Sequence, residues 1–190
     1  MNIYDFDKTV YNGDSTVDFY KFCLKKYPKT RSSVIKTGWY FFMMMLRVYS
    51  KTQCKEKFYM SFLPRIPDME KALEDFWAAH EKNMKKWYVD DKRRPDDIII
   101  SASPEFLLRP MCERLGVALL ASRVDSATGA YTGRNCRGEE KVRRLKEYMP
   151  EALEQMEQFY SDSIADTPLA RLAQEAYMVK GDELLMWVVQ

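Results

Sequence analysis

The feature that most constrains this chain is a long gap between its first two strand signals. Asn2-Ile3-Tyr4 opens as a short strand that ends at Asp5. The next β-branched run is Ile98-Ile99-Ile100, and from Thr30 to about Val89 nothing reads as strand. A sheet built from such a chain must close around an inserted helical block.

Asn12-Gly13-Asp14 reads as a turn, because Asn and Gly tolerate positive φ. Asp14, Ser15 or Thr16 can cap a helix running to Leu24, which Tyr27-Pro28 stops. Apolar residues at helical spacing predict further helices over 34–49 and 55–63. Pro64 and Pro67 interrupt the pattern, and Asp68 caps a third helix that runs through Leu73, Phe76, Trp77, His80, Met84 and Trp87.

After Arg94-Pro95-Asp96-Asp97 the period changes. Ile98-Ile99-Ile100 predicts a strand covered on both faces. Ser103 as N-cap and Pro104 at the first helical position predict a helix to Leu115, ended by Gly116. Strands are expected over 116–121, 157–160 and 176–179, the last followed by Gly181, with a hairpin turn at Ala127-Thr128-Gly129-Ala130 between Val124 and Tyr131. A helix over 138–148 should turn Val142, Leu145 and Tyr148 inward, and another opening at Ala165 or Asp166 should carry Leu169 and Leu172. The expected architecture is an α/β core over 1–14 and 95–190, with a helical cap over 15–94.

With 46% apolar and 14% aromatic residues in 190, the chain can bury a real core, so disorder is excluded as the default. Cys23, Cys54, Cys112 and Cys136 show neither zinc nor disulfide spacing, and no basic n-region with an apolar h-region stands at the N-terminus. A reducing cytoplasm is the expected compartment. Between Phe19 and Pro67, eleven Lys and Arg face Glu56 alone, a local charge of +10 in a chain whose net charge is +2. That asymmetry marks either a solvated helical surface or a face turned toward something anionic. Nucleic acid is not an expected partner.

Open α/β sheets place their sites beyond the carboxyl ends of the strands. Those ends carry Asp5 and Asp7, then Ser101, then Asp162 and Asp166, with Lys141 in the helix preceding the last pair. Four carboxylates in one pocket cannot all ionise unless a cation neutralises them. Oxygen ligation without His or Cys selects a hard ion, and Mg²⁺ is the expected one.

Asp5-Phe6-Asp7-Lys8-Thr9 resembles the first motif, DxDx[TV], of the haloacid-dehalogenase-like (HAD) superfamily; Ser101 resembles its second, Lys141 its third and Asp162-Ser163-Ile164-Ala165-Asp166 its fourth, all in family order. The helical insertion and Asn135-Cys136-Arg137-Gly138-Glu139-Glu140-Lys141 resemble subfamily IB, the phosphoserine-phosphatase-like branch. The resemblance implies a three-layer Rossmann-like core with a parallel sheet, an inserted C1-type helical cap and a Mg²⁺-dependent phosphomonoester phosphatase. It implies that Asp5 is the nucleophile, Asp7 the general acid and base, Ser101 a phosphoryl ligand, and Lys141 the cation holding Asp5 and phosphate together. Asp5, Asp162, Asp166 and the Asp7 carbonyl would meet the metal, directly or through water. Thr9, Asp14, Ala102 and Ser163 are expected to border the substrate, with Thr9 supporting Asp7. Asp14 stands where phosphoserine phosphatases carry a longer Glu, and Ala165 where they carry Asn, which puts phosphoserine itself in doubt.

Trp39-Tyr40-Phe41-Phe42-Met43-Met44-Met45-Leu46 is more apolar than one helix face can bury. In one reading the cap packs on itself and the substrate is a small soluble phosphorylated metabolite. In the other the cap makes peripheral contact with an anionic membrane and the substrate is a lipid phosphate. The first reading is the expectation, since buried helices are the commoner kind. A catalytically silent binding module is a third possibility, against which the full motif set argues.

Overall fold

The structure is a computed structural model that describes residues 1–188. One six-stranded sheet runs in the order β3-β2-β1-β4-β5-β6. Its parallel members are β1 (Asn2–Tyr4), β2 (Ile98–Pro104), β3 (Ala118–Ser122), β4 (Gln158–Ser161) and β5 (Glu175–Lys180). The edge strand β6 (Glu183–Met186) is antiparallel to β5. β1 lies centrally, pairing Ile3 with Ile98 on one side and with Phe159 on the other. The chain proceeds leftward from β1 to β2 and β3, then rightward to β4 and β5, so the crevice between the ends of β1 and β4 is the topological switch point.

Period 2 sorts the strand residues onto two faces. Ile3, Ile98, Ile100, Phe159 and Ala176 bury one face beneath α6 (Glu139–Tyr148), α7 (Ala152–Gln155) and α8 (Thr167–Ala170). Tyr4, Ile99 and Tyr160 turn to the other face, beneath α5 (Glu105–Leu115) and the helical block. There Tyr4, Tyr160 and Tyr177 occupy matched positions on three strands, and their rings stack at 4.8 and 5.0 Å. These are the expected three layers.

The helical block comprises α1 (Ser15–Lys26), α2 (Ser33–Met45), α3 (Lys51–Phe62) and α4 (Met69–His80). Asp14 caps α1 and Asp68 caps α4, each accepting a backbone N–H from three residues on. Its apolar cluster is continuous with that of the sheet: Phe19, Phe58, Phe62, Phe76 and Trp77 join Phe6 and Leu107, and the Trp77 indole donates to the Leu107 carbonyl at 2.7 Å. No helix among the described residues is long and apolar enough to cross a membrane.

Several expected boundaries are corrected. The helix expected over 34–49 ends at Met45, where Arg47 adopts φ 60, and Ser50 with Gln53 forms a capping box that starts α3 at Lys51. The helix expected to reach Trp87 stops at His80 because residues 83–85 pair instead with the loop after β1: Asn12 donates to the Asn83 carbonyl and Lys85 to the Val10 carbonyl, both at 2.8 Å. Ser103 caps nothing, since β2 continues through it and α5 begins at Glu105. Tyr148, the last residue of α6, is exposed, whereas Leu145 is buried and Val142 packs against the core as expected, with Lys141 buried beside them. Leu172 lies past the end of α8, exposed. β6 was not expected because its mostly exposed residues carry no burial alternation; Gly181 at φ 59 makes its turn. The bridge between Val124 and Tyr131 is present as expected.

Candidate active site

The same alternation that buries Phe6 under Tyr11 and Trp77 turns Asp5 and Asp7 to the opposite side, over the switch point. The Asp5 backbone still follows the sheet, donating to the Tyr160 carbonyl at 2.9 Å. Beyond Asp7 the chain folds back sharply: Lys8 takes φ 57, a conformation unfavourable for a non-glycine residue. Two bonds hold it there, its N–H to the Gly13 carbonyl and its own carbonyl to the Lys85 ammonium, each at 2.8 Å. Lys85 is buried and also donates to the Gly181 carbonyl, so its ammonium ties this loop to the β5–β6 turn.

α6 delivers Lys141 from the opposite layer. Gly138, at φ 59, turns the chain into the helix close under the Ala165 carbonyl. The Lys141 ammonium lies 3.0 Å from Asp5 Oδ1 and 2.6 Å from Asp166 Oδ2. Ser161 donates to the same Asp166 oxygen at 2.8 Å. Burial pulls the Lys141 pKa down, but Asp5 and Asp166 together more than offset it, and the ammonium stays charged. Asp5 is raised above the usual carboxylate range by burial, against the opposing pull of Lys141. No ion pair or hydrogen bond holds its second oxygen among the described residues.

Asp7 accepts two bonds, from the Ser15 N–H at 2.7 Å and from the Ser103 hydroxyl. Thr16 Oγ1 lies 3.1 Å from that hydroxyl, and the Ser103 N–H in turn reaches Ser101 Oγ at 3.1 Å. Burial, and next the charge of Asp14, raise the Asp7 pKa. The Asp162 pKa is likewise raised by burial, with Lys8 opposing. The Asp162 N–H donates to Thr9 Oγ1 at 3.1 Å, so Thr9 props the last motif, rather than Asp7 as expected, and is itself fully buried. Ser163 caps the Ala165 N–H, and the Ala102 carbonyl accepts from Lys55 at 3.3 Å and from Ser122 at 3.0 Å.

Asp5, Asp166 and Lys141 are therefore directly linked, and Asp7 and Ser101 are joined to each other through Ser103. Ser103, Ser161, Lys55 and Lys85 were not anticipated. Two of them had a signal: at three strand ends the side chains pair at i and i+2, as Asp5 with Asp7, Ser101 with Ser103 and Ser161 with Ser163.

A cavity of about 490 Å³ adjoins the Asp7 side of the site, lined by Asp14, Tyr20, Phe41, Met44, Lys55 and Phe58 among others. The residues present suit a hard cation. Carboxylate and carbonyl oxygens of Asp5, Asp7, Asp162 and Asp166 come from adjacent strand ends, and no ion pair neutralises Asp162 among the described residues. No three His, Cys, Asp or Glu side chains among those residues form a ready-made metal centre. Mg²⁺ bound there would draw on these oxygens together with waters and substrate oxygens.

The chain is 25% identical over 201 residues to a histidinol-phosphatase of Neisseria meningitidis serogroup C (strain 8013), covering 96% of this chain and 90% of the relative. Its fold resembles that of a protein of unknown function from Bordetella pertussis Tohama I (TM-score 0.74, 19% identity, 94% of this chain and 88% of the other). It also resembles a phosphoserine phosphatase solved as a phospho-aspartyl intermediate analogue (TM-score 0.55, 16% identity, 93% and 84%). The model of the haloacid dehalogenase-like hydrolases matches residues 3–171, which include every carboxylate at the switch point, and the chain belongs to that family.

Proposed function

We propose that the protein is a Mg²⁺-dependent phosphomonoester phosphatase acting through a phospho-aspartate on Asp5. The observation that carries this reading is the buried Lys141 ammonium 3.0 Å from one Asp5 oxygen, with the other oxygen held by no ion pair or hydrogen bond among the described residues. That other oxygen attacks phosphorus, and the bond to the leaving oxygen breaks. Asp7, whose pKa burial and Asp14 raise, supplies the proton that the departing alkoxide takes. In the second step Asp7 takes a proton from water, whose oxygen attacks the same phosphorus and releases phosphate from Asp5. Lys141 offsets negative charge on the transferring group, and Ser101, with its oxygen already accepting from the Ser103 N–H, has its own proton to donate to a phosphoryl oxygen. Mg²⁺, held by Asp5, Asp162, the Asp7 carbonyl and, through water, Asp166, would add Lewis-acid charge neutralisation.

The leaving group enters the chamber between α1, α2 and α3. Its walls are largely apolar, with Lys55 and Asp14 at the polar side. Asp14 already accepts the Val17 N–H as helix cap, which leaves less of it to read a substrate amine and argues for a small phosphomonoester other than phosphoserine. Four buried, unpaired thiols suit the cytoplasm. Turnover of an aryl phosphate with and without chelator tests the chemistry, together with acid quench after mixing with a ³²P-labelled phosphomonoester. Label should remain on the wild-type protein and be absent from Asp5→Asn. Metal-independent turnover, or turnover unchanged in Asp5→Asn, overturns the reading.

A further inference from the structure

α2 separates two apolar surfaces. Thr37, Phe41 and Met44 face the chamber beside the active site. Ile35, Trp39, Phe42 and Leu46, spaced by four, three and four, form a stripe on its other side. The stripe is open to solvent: Ile35 is 84% exposed, Trp39 56%, Phe42 45% and Leu46 55%, and neighbouring Met45 is 69% exposed. The rings of Trp39 and Phe42 lie 5.9 Å apart, so the patch is contiguous rather than a scatter of single residues. Helix spacing that turns large apolar groups outward needs a cover.

The surrounding charge says of what kind. Lys29, Arg31, Lys36, Arg47 and Lys51 are all exposed about this helix, and the one acid between Phe19 and Pro67, Glu56, is turned to the Tyr131 N–H at 2.9 Å. A second copy of the chain docked through this helix would bring two sets of these exposed cations together with no acid between them. Nucleic acid would satisfy the cations but leave Ile35, Met45 and Leu46 in water. An anionic bilayer supplies both partners at once, acyl chains for the stripe and phosphate headgroups for the cations.

We infer that α2 docks the protein on an anionic lipid surface, with the stripe inserted at the headgroup boundary and the basic residues in the headgroup layer. The inference does not depend on the proposed chemistry, because its readout is binding. The chamber lies on the opposite side of the docked helix, lined there by Thr37, Phe41 and Met44.

The test is co-sedimentation of the full chain with vesicles of phosphatidylcholine alone and of phosphatidylcholine containing phosphatidylglycerol. Binding is expected only with the anionic lipid, and it should weaken as salt is raised. Trp39→Glu combined with Phe42→Glu should reduce binding about tenfold or more, while aryl phosphatase activity and thermal unfolding stay as in the wild type. Lys36→Glu with Arg47→Glu should abolish the preference for anionic lipid. Three results would overturn the inference: no binding to either vesicle by natively folded protein, binding unaffected by the stripe variant, or a dimer or protein complex that the stripe variant dissociates in place of lipid binding.

Discussion

Lys141 and Asp166 form a buried pair, ammonium to carboxylate at 2.6 Å, and the same ammonium serves Asp5 at 3.0 Å. One cation from the helical layer thus compensates two anions at different strand ends. Removing it strands both, and an uncompensated buried charge costs about 3–5 kcal/mol. Lys141→Met is therefore expected to lose turnover and to unfold at markedly lower urea. Asp166→Asn added to Lys141→Met should recover part of that stability and none of the activity. Urea melts of the single and double variants check this, and a double variant no more stable than Lys141→Met would count against the pairing.

Ser103 acts on Asp7 by donating its hydroxyl to Asp7 Oδ2, a bond that favours the charged carboxylate and lowers its pKa. Without the bond, burial and Asp14 act unopposed by Ser103, so the Asp7 pKa moves further up. Ser103→Ala should shift the ascending limb of the kcat–pH profile toward higher pH and reduce kcat by about tenfold at neutral pH. Ser103→Thr, which restores the hydroxyl, should bring the limb back. A profile unmoved in Ser103→Ala would show that Asp7 is not the group the profile reports.

Much of this site was legible because strand ends can be found from short apolar runs, and polar residues beyond such runs converge when the strands are parallel. Asp5, Asp7, Ser101 and Asp162 were reached in that way. Ser103 was misread because Ser-Pro before an apolar stretch is also a helix-start signature, and only the continuation of β2 through Ser103 decides between the two. Lys55 and Lys85 carried no signal at all. Each sits in a helical, lysine-rich stretch where a solvated face is the ordinary outcome, and what distinguishes them is the carbonyls they meet, of Ala102 and of Lys8 and Gly181, far away in the chain. The excess of apolar residues in α2 was visible, but which of them would face outward depended on where α2 packs.

Glu140 binds the Arg143 guanidinium at 2.6 Å and Arg144 at 3.1 Å, one residue from Lys141. These bonds, Arg143 first, pull its pKa down to about 2 from an ordinary 4.5. A carboxylate with a depressed folded pKa contributes stability in full above its unfolded value, and loses it as pH falls from about 4.5 toward 2. Glu140→Gln should accordingly cost about 1–2 kcal/mol at pH 7, the Arg143 pair being partly screened by solvent. The deficit should shrink in acid. Urea melts at neutral pH and in mild acid provide the comparison, and an equal deficit at both would exclude this linkage.

Gly129 and Gly116 share the same left-handed backbone, φ 80 and φ 68, but not the same surroundings. A Cβ at Gly116 would meet nothing within 4 Å, whereas one at Gly129 would overlap the backbone of Tyr59 and Met60 in α3. Further hydrogen bonds fasten the hairpin around Gly129: the Asp125 carboxylate takes the N–H groups of Ala127 and Thr128, and the Tyr131 N–H is held by Glu56 of α3. The strand-to-helix connection that follows carries Asn135 and Arg137, which line the chamber. Gly116→Ala should cost only the backbone term, about 1 kcal/mol, and leave kinetics unchanged. Gly129→Ala adds a clash that neither backbone can relieve locally, for about 3 kcal/mol in all. The hairpin should lift from α3, raising KM for a substrate that fills the chamber more than it lowers kcat. Thermal melts and aryl phosphate kinetics of the two variants separate the terms, because their backbone conformations are matched and only the contact with α3 differs.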